Sequence, residues 1–425
     1  MRHPNGLQEL TAQLDRHLKD SSPAVLPFRR IDAYHKESMP DEFQSFIWLT
    51  QLQQALAYDT AVRQWRRWKS DPLALTGGVL YWQLNDIWPG PSWSSLNNDG
   101  QWKLSHYAAR NFFMPVLVSA YVKEGDGLLH VHLTSDLSMD VSGDELGARA
   151  RACVRDQHIR LPTLLPAGTL SIEAIPFAAQ HADNVTTLLN STDTVVAAGA
   201  SEEALNLSIT DWLLPRMREG GDFQGGEKDF FLRLRFCPDR VIPAGYPNPF
   251  TTKISSASIT KLQAALTQEG GTQAGAAGQP AAGERLLQCS EHLQFLAKFS
   301  QLNLQPAEVS VLSFSEPGLP GTRDDSGARR VQLEVESTRV ALFVTLETHL
   351  GGHFDENAFM LLPGQRKAVT WYHVDAEPGG NASSPSALLL SALNITSLHS
   401  AMGIGPKGLG NKNHSQLSTC GGKMV

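Results

Sequence analysis

Residues 41–69 carry apolar side chains at near-helical spacing. Phe46, Leu49, Leu52, Leu56, Val62 and Trp65 recur with Gln and Arg opposite. The spacing predicts a helix, with Asp41 as its cap after Pro40. Gly77 and Gly78 break the pattern, and Val79, Leu80, Tyr81 and Trp82 follow as an unbroken apolar run. A short run between turn signals predicts a strand buried on both faces. Helix, buried strand, then a polar loop with aromatics is the order of an α/β barrel, whose strand ends carry chemistry. One such unit does not by itself establish a barrel.

Beyond Pro115 the period changes to two. Leu129, Val131 and Leu133 alternate with His130, His132 and Thr134. Phe230, Leu232, Leu234 and Phe236 alternate across Arg233 and Arg235. Val331, Leu333 and Val335 alternate with Gln332, Glu334 and Glu336, and Leu342, Val344 and Leu346 continue the theme. Strands with one wet face predict antiparallel sandwiches. The length fits two, dividing near residues 247–252. Residues 270–283, GGTQAGAAGQPAAG, cannot build a core and predict a linker or disorder. Patterning stays poor to about Asp325, and the Gly-, Lys-, Asn- and Ser-rich tail is expected to be solvated.

Composition narrows the class. The 425 residues carry a net charge of −7 with 19% charged residues and no basic stripe, which argues against a nucleic-acid partner. No apolar run approaches the roughly 18 residues needed to span a bilayer. The start, MRHPNGLQELTAQLDRH, has no secretory apolar region. Cys153, Cys237, Cys289 and Cys420 are scattered with no CxxC, so free thiols and one or two disulfides all stay open. Asn184, Asn190, Asn206, Asn381, Asn394 and Asn413 each begin a glycan-acceptor triplet, where chance predicts about two. That excess favours a secretory-pathway protein.

Three of the 9 tryptophans, Trp82, Trp88 and Trp93, fall within GGVLYWQLNDIWPGPSWSSL at 77–96. A pyranose has an apolar C–H face and a hydroxyl edge. Indole suits the face, and Gln83, Asn85 and Asp86 suit the edge. The competing reading is a Trp-rich packing interface, which physics alone slightly favours.

This stretch resembles the β-mannosidases of glycoside hydrolase family 2. So do Gln101-Trp102-Lys103, His106-Tyr107, and Asn111-Phe112-Phe113-Met114-Pro115 that follow. Downstream, Phe343 to Glu347, Gly352 to Phe359, and Leu393 to Leu398 resemble the family's last sandwich and final strand. The resemblance runs from about Arg2 to Ser400 with gaps, and residues 270–325 have no counterpart in it.

The resemblance implies a mixed α/β plus all-β fold. The C-terminal remnant of a (β/α)8 barrel (1–115) precedes two immunoglobulin-like β-sandwiches (116–252 and 253–400). The second is interrupted by a disordered insert at 270–325, and 401–425 form a disordered tail. It implies a retaining hydrolase releasing terminal β-mannose in glycoprotein catabolism, lysosomal or secretory, without a cofactor or metal. Its two glutamates are expected upstream of Met1, so this chain is expected to be inactive alone. Trp82 is implied as the floor of the mannose subsite, and Gln83, Asn85 and Asp86 as fixing the loop or touching hydroxyls. Trp88 and Trp93 line the rim or pack, packing being preferred. Trp102, His106 and Tyr107 tie the last helix down.

Glu37, Asp41, Glu42, Asp86, Asp324, Asp325, Glu334 and Glu336 offer no convincing replacement pair. GxSxG, P-loop, GxGxxG and HExxH motifs are absent. His130 and His132 share a strand face, and a wet face accounts for them better than a metal. A non-catalytic carbohydrate-binding module and a sibling β-galactosidase or β-glucuronidase remain the alternatives.

Overall fold

The computed structural model describes residues 6–18, 41–123, 125–136, 164–197, 199–219, 223–243, 288–315, 329–373 and 385–402. Its first part is helical: α1 (Gly6–His17), the long α2 (Asp41–Arg67) and α3 (Leu104–Phe112). Phe46, Leu49, Leu52 and Val62 are buried on α2 as the spacing predicts, joined by Trp48 and Ala55. Trp65 departs from the stripe and is 40% exposed. The cause is the last turns of α2, where arginines take the inward positions. Arg63 bonds Asp59 at 2.8 Å and donates to the carbonyls of Val118 (2.7 Å) and Glu291 (3.0 Å). Arg66 donates to the Phe112 carbonyl (2.5 Å) and the Asp136 carboxylate (2.8 Å). A guanidinium fork can satisfy carbonyl and carboxylate acceptors together, so this end of the helix docks through charge rather than through leucine.

Seven strands follow: β1 (Val116–Val122), β2 (Leu128–Ser135), β3 (Leu164–Pro176), β4 (Thr186–Val195), β5 (Ser201–Ser208), β6 (Phe230–Pro243) and β7 (Ser290–Phe295). They form two sheets, β1-β2-β5 and β4-β3-β6-β7, with antiparallel pairing. Val118, Val131 and Leu133 of one sheet meet Leu170, Ile172, Leu232 and Leu234 of the other in one buried core. The chain crosses from β5 to β6 through a wide helical turn (Ile209–Leu213) and α4 (Leu214–Glu219), which add Leu213 and Met217 to that core. Gly168, opposite Pro238, has no room for a side chain: a Cβ there would lie 2.1 Å from the Cys237 carbonyl oxygen. Gly168→Ala is expected to push β3 off β6 and cost on the order of 2 kcal/mol, read as a lower urea midpoint.

The second sandwich holds β8 (Val309–Ser315), β9 (Arg329–Ser337), β10 (Ala341–Glu347), β11 (His353–Phe354), β12 (Phe359–Leu361), β13 (Arg366–His373) and β14 (Asn394–Thr396). Its sheets are β12-β10-β14 and β11-β13-β9-β8. Val331, Leu333, Val344, Leu346, Val369 and Trp371 fill the space between them, closed by Leu389 and Leu393 of and beside α5 (Pro385–Ala392). A short α6 (Leu398–Ala401) ends the described chain. A third core joins the parts: α2 packs through Phe46, Trp48 and Leu52 onto Phe177 and Phe231 of the first sandwich and Leu342 and Leu398 of the second.

Three expectations need correction. Residues 79–82 form no strand. Val79 and Tyr81 pack against Val62 and Phe112, but Leu80 is 96% exposed. A strand needs at least one neighbour to pair with, and no described strand lies beside this run. Residues 288–315 are not a disordered insert, because they supply β7, β8 and the buried Leu302 and Leu304 between. The division near 247–252 also moves, since β7 completes the first sandwich by pairing with β6. Residues 270–287, 316–325 and 403–425 lie outside the described residues.

Candidate functional site

The loop from Gly77 to Lys103 is pinned to α2 and α3 through its backbone. Tyr58 of α2 donates to the Trp82 carbonyl at 3.0 Å, and Gln54 to the Trp93 carbonyl at 3.1 Å. Ser95 is buried at the centre: its hydroxyl meets Tyr81 (2.8 Å), the Leu84 carbonyl (3.0 Å) and His106 Nδ1 (3.0 Å). Backbone bonds from Asp86 to Leu96, Leu96 to Leu84 and Lys103 to Ser95 tie the two arms together. The Trp82–Gln83 peptide is cis.

Asp86 is the charged keystone. Its carboxylate accepts from Ser92, Ser94 and the ammonium of Lys103 (2.9 Å), and both partners of the ion pair are 9% exposed. Burial alone would raise its pKa. The hydrogen bonds from Ser92, Ser94 and Lys103 and the charge of Lys103 outweigh it and hold the group down at about 2. Lys103 also donates to Ser94 at 2.7 Å. Asp86 therefore fixes the loop, the first of the two roles implied for it. Gln83 donates to the Asn85 carbonyl (3.1 Å) and Asn85 to the Asp86 carbonyl (3.2 Å), both short local bonds in an exposed stretch.

What this scaffold presents outward is apolar. Trp82 is 69% exposed, Trp88 63% and Trp93 67%, flanked by exposed Leu80, Leu84 and Ile87. For Trp88 and Trp93 the packing reading is not what the structure shows: their rings find no core. Indole plates beside amide and carboxamide groups can take a sugar ring, apolar face on the ring and hydroxyls at the edge.

Behind the loop, α3 is clamped to the second sandwich. Trp102 stacks on His353 (4.3 Å between ring centres, 10° apart) and meets His106 edge-on at 4.4 Å. Tyr107 donates to the Phe354 carbonyl at 3.1 Å, Arg110 donates to the Asp355 carbonyl, and Gln101 reaches the Thr348 carbonyl at 3.4 Å. Burial lowers the pKa of His106, with His353 and Arg110 acting the same way, which suits a neutral structural ring. Trp102, His106 and Tyr107 thus hold the helix in place. Sequence reasoning did not assign Tyr58, Ser92, Ser94 and Ser95. The serines stood inside the quoted motif, but their value lies in bonds that only folding shows.

A cavity of about 570 Å³ lies elsewhere, at the junction of α2, α3 and both sandwiches, with Arg63, Tyr121, Glu291, His292, Phe343 and Asn357 on its wall. None of Trp82 to Trp93 lines it, so its size does not make it the sugar site. His130 bonds Glu203 at 2.8 Å and Asp126 at 3.3 Å and stacks on Tyr121, so the strand face is a hydrogen-bonded cluster. Among the described residues no group of three His, Cys, Asp or Glu is arranged to hold a metal, and no helix is long and apolar enough to cross a membrane.

Known proteins match parts of this chain. A family model of the mannosidase Ig-fold domain matches residues 314–401. The β-mannosidase of Rattus norvegicus is 38% identical over 141 residues, which is 32% of this chain and 14% of that protein. β-Mannosidase A of Aspergillus terreus is 43% identical over 101 residues, 24% of this chain and 11% of that one. A crystal structure of β-D-mannosidase from Dictyoglomus thermophilum aligns with 85% of this chain and 30% of its own, at 17% identity and a TM-score of 0.49. The chain therefore spans only a small part of the curated relatives it matches. Over the matched parts the chain is similar to β-mannosidases, and its residues 314–401 match the mannosidase Ig-fold domain.

Proposed function

We propose that this chain is the C-terminal portion of a β-mannosidase-type retaining glycoside hydrolase of the secretory pathway or lysosome. Its loop at 77–103 forms the wall that receives a terminal β-mannosyl ring. The observation that carries the reading is Trp82: an exposed indole on a backbone held by Tyr58, Ser95 and the Asp86–Lys103 pair. Trp88 and Asn85 extend the surface, while Asp86 keeps it in shape. Retaining hydrolysis needs two carboxyl groups roughly 5–5.5 Å apart. Of the two carboxylates within the loop, Asp86 is committed to Ser92, Ser94 and Lys103, and Asp99 accepts the Gln101 N–H at 3.0 Å. The nucleophile and the acid/base are assigned to polypeptide outside this chain, and the chain alone is inactive.

Titration of the full chain with β-1,4-mannobiose, followed by tryptophan emission, tests the wall. Trp82→Ala is expected to weaken binding about tenfold, on the order of 1.4 kcal/mol of stacking and burial. Unchanged affinity would remove Trp82 from the site. Turnover of an aryl β-mannoside by this chain alone would overturn its inactivity. A non-catalytic carbohydrate-binding module predicts the same binding. Only the hydrolase reading predicts that adding polypeptide carrying the two glutamates restores turnover.

A further inference from the structure

The first sandwich is shut on one side and open on the other. On the shut side β7 runs along β1: the Ser290 hydroxyl and His292 Nδ1 each accept an edge N–H of β1, from Val118 and Ala120, at 3.0 Å. On the other side the edge strands are β4 and β5, and no described strand pairs with their outer edges. β4 is ten residues long, TTLLNSTDTV. It holds β-formers, no Lys, Arg or Pro, and one carboxylate at Asp193. Long uncharged edges invite strand addition by another chain, and proteins usually blunt them with lysine, proline, bulges or cover. Two register shifts against β3 bend β4. The sequence supplies it with no charge of the protective kind.

Three glycan-acceptor asparagines fall on this open side, each exposed: Asn184 in the turn entering β4, Asn190 within β4 and Asn206 within β5. None falls on β1 or β7. Asn184 Oδ1 accepts from the backbone of Gln180 (3.1 Å) and His181 (2.9 Å), bonds that leave Nδ2 uninvolved. Asn206 Nδ2 donates to Glu203 at 2.7 Å, a bond its remaining hydrogen can still make after substitution. Asn394 stands on β14, again the edge of its sheet.

We propose that Asn190 and Asn206 carry N-glycans that shield the β4 and β5 edges from strand addition. This rests on the secretory-pathway reading. In the transfer, Nδ2 bonds the anomeric carbon of a lipid-diphosphate-linked oligosaccharide. The bond from that carbon to the diphosphate oxygen breaks, Nδ2 loses one proton, and the lipid diphosphate leaves. The glycan then does for an edge without lysine what lysine does elsewhere: it puts a solvated group where a second chain must approach.

The test routes the full chain into the endoplasmic reticulum of cultured cells with an added leader. Release by peptide N-glycosidase in heavy-oxygen water marks each formerly glycosylated asparagine as a labelled aspartate. Label is expected at Asn190 and Asn206. The double variant Asn190→Gln/Asn206→Gln is expected to raise the aggregated fraction severalfold in size-exclusion chromatography. Asn190→Lys/Asn206→Lys, equally unglycosylated, is expected to bring it back. Unlabelled Asn190 and Asn206 overturn the proposal. So does an unchanged aggregate in the glutamine variant, or a lysine variant that aggregates as the glutamine one does, since a chaperone-recruiting role of the glycan gains nothing from lysine. The added leader makes the outcome independent of the chain's own compartment, which imaging of the native protein addresses separately.

Discussion

Replacing Cys237 and Cys289 by serine lowers the stability of the first sandwich by roughly 4 kcal/mol, the loop-closure entropy for a separation of this size. The two residues are joined by a disulfide across 52 positions of sequence. They sit opposite one another because Phe236 pairs with Ser290 one step further along the β6–β7 ladder. The bond fixes more than two strands. β7 carries the Ser290 and His292 acceptors that satisfy β1, and the Glu291 carbonyl that receives Arg63 of α2. Without the crosslink, β7 must find its place after a long chain closure, and the docking of α2 weakens with it. Urea unfolding of parent and double-serine chains, each with and without reductant, reads the effect. The parent is expected to shift to a lower midpoint with reductant, and the variant to start at that midpoint and stay there. Equal midpoints in all four samples would mean that β7 is held by its ladder alone.

The sequence spoke clearly where burial is periodic. Phe46, Leu49, Leu52 and Val62 announced α2, and the alternations at 129–133, 230–236 and 331–335 announced β2, β6 and β9, because one face of each element is truly dry. It was silent where a partner distant in sequence decides. Trp65 looked like stripe, yet Arg63 and Arg66 find carbonyls 55, 228 and 46 residues away and take the inward positions. β8, VSVLSFS, does show alternation at Val309 and Val311, but two apolar positions are too few to stand out from the poorly patterned stretch that runs to about Asp325. Asn357 stands in the Gly352 to Phe359 motif, but its role shows only in the fold: buried, it exchanges hydrogen bonds with both the N–H and the carbonyl of Leu346, standing in for a strand neighbour. In the loop, the aromatic content pointed to Trp82, whereas the anchoring of Asp86 depends on Ser92, Ser94 and Lys103 arriving together from across a turn.

That anchoring makes Lys103→Met the sharpest probe of the sugar wall. It removes the ammonium and leaves the Asp86 carboxylate enclosed with two hydroxyl donors. A buried pair broken on one side costs about 3 kcal/mol, because the remaining charge is desolvated without compensation. The loss is local, since the loop touches α2 and α3 through few backbone bonds. It is therefore read best by hydrogen exchange at the amides of Asp86, Ser95, Leu96 and Lys103, which the folded loop protects. These amides are expected to exchange about 100-fold faster, the factor equivalent to about 3 kcal/mol. The pH dependence has a definite sign. The Asp86 pKa is lowered from 3.8 to about 2, so its contribution is present above about 4 and fades as pH falls towards 2. Parent and Lys103→Met chains should thus differ at neutral pH and converge near pH 2. Asp86→Asn/Lys103→Met, which removes both charges, should recover part of the protection, because no enclosed charge is then left alone. If Lys103→Met exchanges like the parent at pH 7, the ion pair does not hold the loop, and the exposed Trp82 plate must owe its position to Tyr58 and Ser95 instead.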